Sequence, residues 1–175
     1  RFSRLIGNFG ISDATFVSEL VDIYSKNLES SMRPFDGVSD VLKSLRKDFS
    51  LYLVTDGPGD AQRRALETLN LTSYFKDVFI SGEARKIKSN GDLFRYALEK
   101  SGHTPSEVIL VGDSYARDVL GGLKAGLNVI WLNKRKQTLE PSQQKPHAQI
   151  SDLSSLEVCN FFKIVKPLYS FEHLK

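Results

Sequence analysis

Four short, almost continuously apolar runs, and a briefer fifth, constrain this chain more than anything else in it. They are Leu51-Tyr52-Leu53-Val54-Thr55, Asp77–Ser81 (DVFIS), Val108–Val111 (VILV), Asn128–Leu132 (NVIWL) and Ala148-Gln149-Ile150. Runs this short, with no polar residue at every second place, form strands buried on both faces. Helical patterns separate them. Strand and helix in alternation build a parallel sheet covered by helices on both sides, with right-handed crossovers. The expected fold class is therefore α/β: a three-layer, doubly wound, Rossmannoid parallel sheet. Ligands of such sheets sit beyond the C-terminal ends of the strands, so the residues just after each run are the ones that bear on function.

The helices are read from apolar spacing. Residues 12–31 carry Phe16, Leu20, Ile23, Tyr24 and Leu28 at helical intervals, with Ser12 or Asp13 as the cap. Pro34 stops this helix, because the residue before a proline is pushed out of the α region. Residues 37–47 place Val38, Val41, Leu42 and Leu45 on one face. Further helices are expected at 60–70, 91–101, 116–125 and 153–163, with a polar loop over 133–147. Residues 1–33 look purely helical and stand outside the alternation, as a small accessory module. The α/β core then spans 34–163 and a tail 164–175.

Charge and composition exclude several classes. With 24 Lys and Arg against 21 Asp and Glu, the net charge is +3 over 175 residues, too mild to imply a nucleic-acid partner. No apolar run approaches the ~18 residues of a membrane helix. The single cysteine, Cys159, excludes an internal disulfide and a multi-cysteine zinc site. With no secretory leader visible, an intracellular, cytoplasmic location is expected. His103, His147 and His173 show no metal-ligand spacing and read as surface residues. Cys159 reads as buried in the last helix.

The strand ends carry the chemistry. Thr55, Asp56 and Gly57 follow the first run. Ser81-Gly82-Glu83, with Arg85, Lys86 and Lys88, follows the second. Gly112-Asp113-Ser114 follows the third, with Asp118 five residues beyond Asp113. A hydroxyl, a lysine and two carboxylates on one rim suit phosphoryl chemistry. Carboxylates hold Mg²⁺, which prefers oxygen ligands, while lysine, hydroxyl and free backbone N–H groups hold phosphate oxygens. Taken singly, each residue has a plainer role. Thr55 or Asp113 can cap the helix that follows it, Lys88 can be a solvated lysine, and Asp118 can be a first-turn carboxylate. The order strand-Thr, then Lys, then strand-Gly-Asp-Ser-x-x-x-Asp is far more specific than any one of them.

In that order the chain resembles the haloacid dehalogenase-like (HAD) hydrolases, most closely the capped phosphatases, over about Met32 to Ser155. The family's second motif matches Leu51–Thr55 with Asp56-Gly57. Its third matches Lys88, six residues before Phe94, and its fourth matches Gly112-Asp113-Ser114 through Asp118. The run Gly121–Leu127 is also typical. Ile130-Trp131-Leu132-Asn133 is similar to the 5′-nucleotidase and N-acylneuraminate-9-phosphatase branches. The resemblance implies a Mg²⁺-dependent phosphomonoester hydrolase acting on a small phosphorylated metabolite, a nucleotide monophosphate or sugar phosphate, through an aspartyl phosphate. Thr55, the backbone N–H groups of Asp56 and Gly57, and Lys88 would bind phosphate, with Thr55 and Lys88 serving catalysis. Asp113 and Asp118 would serve the metal, Asp118 through its water shell or by holding Lys88. Residues 1–33 would be part of a helical cap.

Two departures stand out. The third motif usually reads Lys-Pro-x-Pro, whereas here it is Lys88-Ser89-Asn90-Gly91, which leaves Lys86 as a second candidate. The first motif, Asp-x-Asp-x-Thr, occurs nowhere in the 175 residues. In the family it ends the central strand, between the strands bearing Thr55 and Asp113. Without it those two strands have open edges, and an upstream segment carrying the two aspartates is expected. This chain alone is then inactive.

Other readings fit less well. A receiver domain places its acidic residues before its lysine, the reverse of Lys88 and Asp113. A dinucleotide fingerprint fails at Gly57-Pro58-Gly59-Asp60-Ala61-Gln62, where Gln62 is too large and Pro58 lacks an N–H. The rival from another class is a catalytically inactive HAD-like binding module, with Asn160–Tyr169 either packing as a last helix or docking a protein partner.

Overall fold

Asn128–Leu132 shows why the apolar runs do not alternate. Val129 and Trp131 pack into one cluster, Ile130 and Leu132 into another, and all four are buried. A strand apolar on both faces lies between two layers of helix. The computed structural model describes residues 2–156. In chain order it shows α1 (Phe2–Gly7), α2 (Ala14–Ser31), α3 (Val38–Leu45), β1 (Tyr52–Thr55), α4 (Gly59–Thr68), β2 (Asp77–Ile80), α5 (Ser81–Ala84) and α6 (Asp92–Ser101). Then come β3 (Ile109–Gly112), a π-helical turn (Tyr115–Val119), α7 (Leu120–Lys124), β4 (Asn128–Leu132) and β5 (Ala148–Ile150).

Phe94 and Leu98 of α6 meet Val119, Ala125 and Leu127 against Val129 and Trp131. On the other face Val41 of α3 packs with Ile130, Leu132 and Ile150. The fold is thus α/β with helices on both sides of parallel strands, as the sequence predicts.

All strand pairs are parallel, yet they form two sheets. β1 pairs with β2, Tyr52 opposite Asp77 through Thr55 opposite Ile80. β3 pairs with β4, and β4 with β5. β1 and β3 do not pair. Both are only half-buried along their whole length, unlike β4. The strands that end at Thr55 and Gly112 thus belong to separate sheets. Val54 packs under the gap against the cluster holding Phe94. At the start of β1, the Tyr52 hydroxyl lies 3.3 Å from His103 Nε2. His103 is therefore a half-buried partner of β1 rather than a plain surface residue.

Local chemistry explains the element ends. The Asp13 carboxylate accepts from the N–H groups of Thr15 and Phe16 and starts α2. The expectation of one helix over 116–125 is corrected to a π-helical turn followed by α7. A 3₁₀ turn stands at Leu153–Leu156 where a helix over 153–163 is expected. The remainder of that helix, Cys159, His173 and the tail 164–175 lie outside the described residues. Among those described, no helix is long and apolar enough to cross a membrane.

Entry to β3 is acid-sensitive. Glu107 accepts from both the backbone N–H of Thr104, at 2.7 Å, and its hydroxyl, at 2.8 Å. These bonds, the backbone one foremost, lower the Glu107 pKa below its usual 4.5. A carboxylate with a depressed folded pKa stabilises the fold above its unfolded pKa and loses that contribution as pH falls through the folded value. Glu107→Gln should therefore flatten the acid limb of a stability–pH curve below about pH 4.5, read by urea titration at several pH values.

Candidate active site

The rim begins where β1 stops. The Thr55 hydroxyl donates to Gln62 Oε1 at 2.8 Å, across the first turn of α4. Gly57 turns the chain at φ 137°, a conformation that favours glycine. Its N–H donates to the Ser81 hydroxyl at 2.9 Å, and its carbonyl accepts from Gly82 at 3.1 Å. Thr55 and Gly57 are thus held by Gln62 and Ser81, neither of which sequence pattern marks as a site residue. Ser81 directly follows β2 and stands among the strand-end residues, but its bond to Gly57 is set by the fold.

The lysine is chosen by contact. Lys88 Nζ lies 2.8 Å from Asp118 Oδ1, with side chains 14% and 6% exposed. Lys86 is exposed instead, its Nζ 5.9 Å from the Tyr96 ring centroid. The other Asp118 oxygen accepts the Ser114 N–H at 2.9 Å. Asp118 can come this close to β3 because residue 112 is glycine: a Cβ there would lie 2.4 Å from the Asp118 Cβ.

The lysine loop lacks both usual prolines but is tied down by hydrogen bonds. The Lys88 carbonyl accepts from the Gly91 N–H at 2.8 Å, and Lys124 Nζ donates to the Ser89 carbonyl at 3.0 Å. Arg95 donates to the Asn90 carbonyl and to Asp92. These bonds hold the loop in place of the stiff rings of proline.

Asp113 behaves differently from Asp118. Its main-chain carbonyl accepts from Trp131 Nε1 at 3.1 Å, which anchors the turn to the core. Its side chain is exposed and makes no hydrogen bond or ion pair among the described residues. It is the rim carboxylate best placed to take a ligand, and its oxygens suit a hard cation such as Mg²⁺. Among the described residues no group of three or more His, Cys, Asp or Glu side chains is gathered for a metal.

Arg117 closes the rim. Its Nε lies 3.2 Å from the Ser114 hydroxyl and its Nη1 3.7 Å from Asp56 Oδ2. Contacts therefore run from Lys88 through Asp118, Ser114 and Arg117 to Asp56, the neighbour of Thr55. Lys88 and Asp118 thus meet, and Arg117 links the turn after β3 to Asp56 at the end of β1. An open cavity of about 510 Å³ lined by Lys136, Thr138, Lys145 and Gln149 lies elsewhere and includes none of them.

The chain is similar to known proteins. The profile of haloacid dehalogenase-like hydrolases matches residues 3–132. Human N-acylneuraminate-9-phosphatase is 30% identical over 148 residues, covering 84% of this chain and 60% of the relative. Pyrimidine 5′-nucleotidase YjjG of Escherichia coli is 35% identical over 125 residues, covering 71% and 55%. The chain thus spans little more than half the length of these relatives. Among solved structures, the HAD-hydrolase YfnB of Bacillus subtilis, described as bound to magnesium, superposes with a TM-score of 0.75. It has 28% identity over 94% of this chain and 69% of that one. Family profile, relatives and fold agree, and the chain belongs to the haloacid dehalogenase-like hydrolases.

Proposed function

We propose that this chain carries the phosphate- and metal-binding side of a Mg²⁺-dependent phosphomonoester hydrolase. Its nucleophilic aspartate would come from sequence outside these 175 residues. The observation that carries the reading is the buried Lys88–Asp118 pair beside the unpartnered Asp113 carboxylate at the end of β3. Lys88, held by Asp118, would bind a phosphate oxygen and offset its charge. Thr55 would turn its hydroxyl from Gln62 to a phosphate oxygen. Asp113 would hold Mg²⁺, which polarises phosphoryl oxygens and neutralises charge when bound. The substrate would be a small phosphorylated metabolite, a nucleotide monophosphate or a sugar phosphate, a class suggested by the names of the relatives.

Hydrolysis of p-nitrophenyl phosphate tests this. A longer form of the protein that includes an Asp-x-Asp motif should turn it over with Mg²⁺ and stop with EDTA. In that form Asp113→Asn should cut turnover on the order of a hundredfold and weaken Mg²⁺ binding. Absence of turnover, with EDTA making no difference, would favour the inactive binding module instead.

A further inference from the structure

A carboxylate at position 56 is at odds with phosphate binding. Asp56 directly follows Thr55 on the rim, and its charge would repel a phosphate dianion held there. The structure shows what offsets it. Arg117 Nη1 stands 3.7 Å from Asp56 Oδ2, reaching across from the β3 side of the break between the sheets. The approach is set in advance, since the Ser114 hydroxyl engages both the backbone N–H and the Nε of Arg117. Among the described residues from Lys88 to Asp56 along this chain of contacts, the carboxylates Asp56 and Asp118, with Asp113 beside them, stand against the cations Lys88 and Arg117. Lys88 is already committed to Asp118 at 2.8 Å. Arg117 is thus the rim cation facing Asp56.

We infer that Arg117 is a positioning residue that sets phosphate affinity by neutralising Asp56. It acts through Asp56 rather than by touching the substrate. Its side chain is 60% exposed and that of Asp56 28%, so the pair contributes little to folding. Its effect falls on an anion brought to Thr55, where an uncompensated carboxylate would stand on the next residue. The inference rests on the phosphatase reading.

The test measures the dissociation constant of inorganic phosphate for the 175-residue chain with Mg²⁺, by titration calorimetry. Arg117→Gln should weaken binding about tenfold, a modest electrostatic effect. Arg117→Lys, which keeps the charge, should lose no more than about threefold. The double variant Asp56→Asn/Arg117→Gln should return to within about twofold of the wild type, a rescue that a merely structural role would not produce. The deficit of Arg117→Gln should also shrink at about 1 M KCl, where the Debye length is ~3 Å. Two results overturn the inference and leave the phosphatase reading standing. One is Arg117→Gln binding like the wild type; the other is a double variant as weak as the single, which would mean that the guanidinium contacts phosphate itself. A wild-type chain that binds no phosphate overturns both.

Discussion

Gly121→Ala should unfold in urea well before the wild type, with a loss of about 3 kcal/mol or more. A Cβ at this position would lie 2.0 Å from the Lys88 carbonyl oxygen and 3.1 Å from Phe94 Cε2. The first clash is with backbone, which cannot swing aside as the end of a side chain can. The same carbonyl accepts the Gly91 N–H at 2.8 Å, so moving it opens the turn that leads into α6. It would also draw Lys88 away from Asp118. Stability and the candidate site should therefore fail together. Gly7→Ala is the control: a Cβ there meets nothing within 4 Å, and its midpoint should match the wild type. If Gly121→Ala and Gly7→Ala melt alike, the close approach of α7 to the lysine loop is wrong.

Lys88→Ala should be as damaging for a different reason. It leaves the Asp118 carboxylate, 6% exposed, as a buried charge without its cation. Breaking such a pair from one side costs about 3–5 kcal/mol. Removing both charges is expected to cost much less, because no bare ion remains. Lys88→Met/Asp118→Asn should thus recover most of the stability lost in Lys88→Met, measured as a shift in the urea midpoint at constant slope. The amide oxygen introduced by Asp118→Asn could still accept the Ser114 N–H that the carboxylate accepts at 2.9 Å. Phosphate binding should stay lost in the double variant even as folding returns. Equal stability of Lys88→Met and its double variant would mean that the pair is not buried as described.

Much of this site was legible from the chain because its parts sit at strand ends, and strand ends announce themselves locally. Asn128–Leu132 and Ala148–Ile150 are strands with the expected limits, and the other three differ by a residue at either end. Glycine and proline at 57 to 59, and glycine at 112, mark where each strand lets go. Thr55, Asp113 and Asp118 follow from those stops by simple counting. Open edges on β1 and β3 were also expected, and the two strands lie in separate sheets.

The motif match favoured Lys88 over Lys86, but the hold on Lys88 was not legible. It rests on a contact across 30 residues, made possible by bare glycines at 112 and 121. The partners of Gln62 and Ser81 were not legible, because Thr55 lies across a helix turn from Gln62 and Gly57 lies 24 residues before Ser81. Arg117 reads as an unremarked position between Ser114 and Asp118 until the fold sets it against Asp56. Local residue pattern thus specified the strands, their stops and the set of chemical groups. Which groups meet depended on the folded backbone, because hydrogen bonds and ion pairs form over about 3–4 Å, a distance that no spacing along the chain encodes.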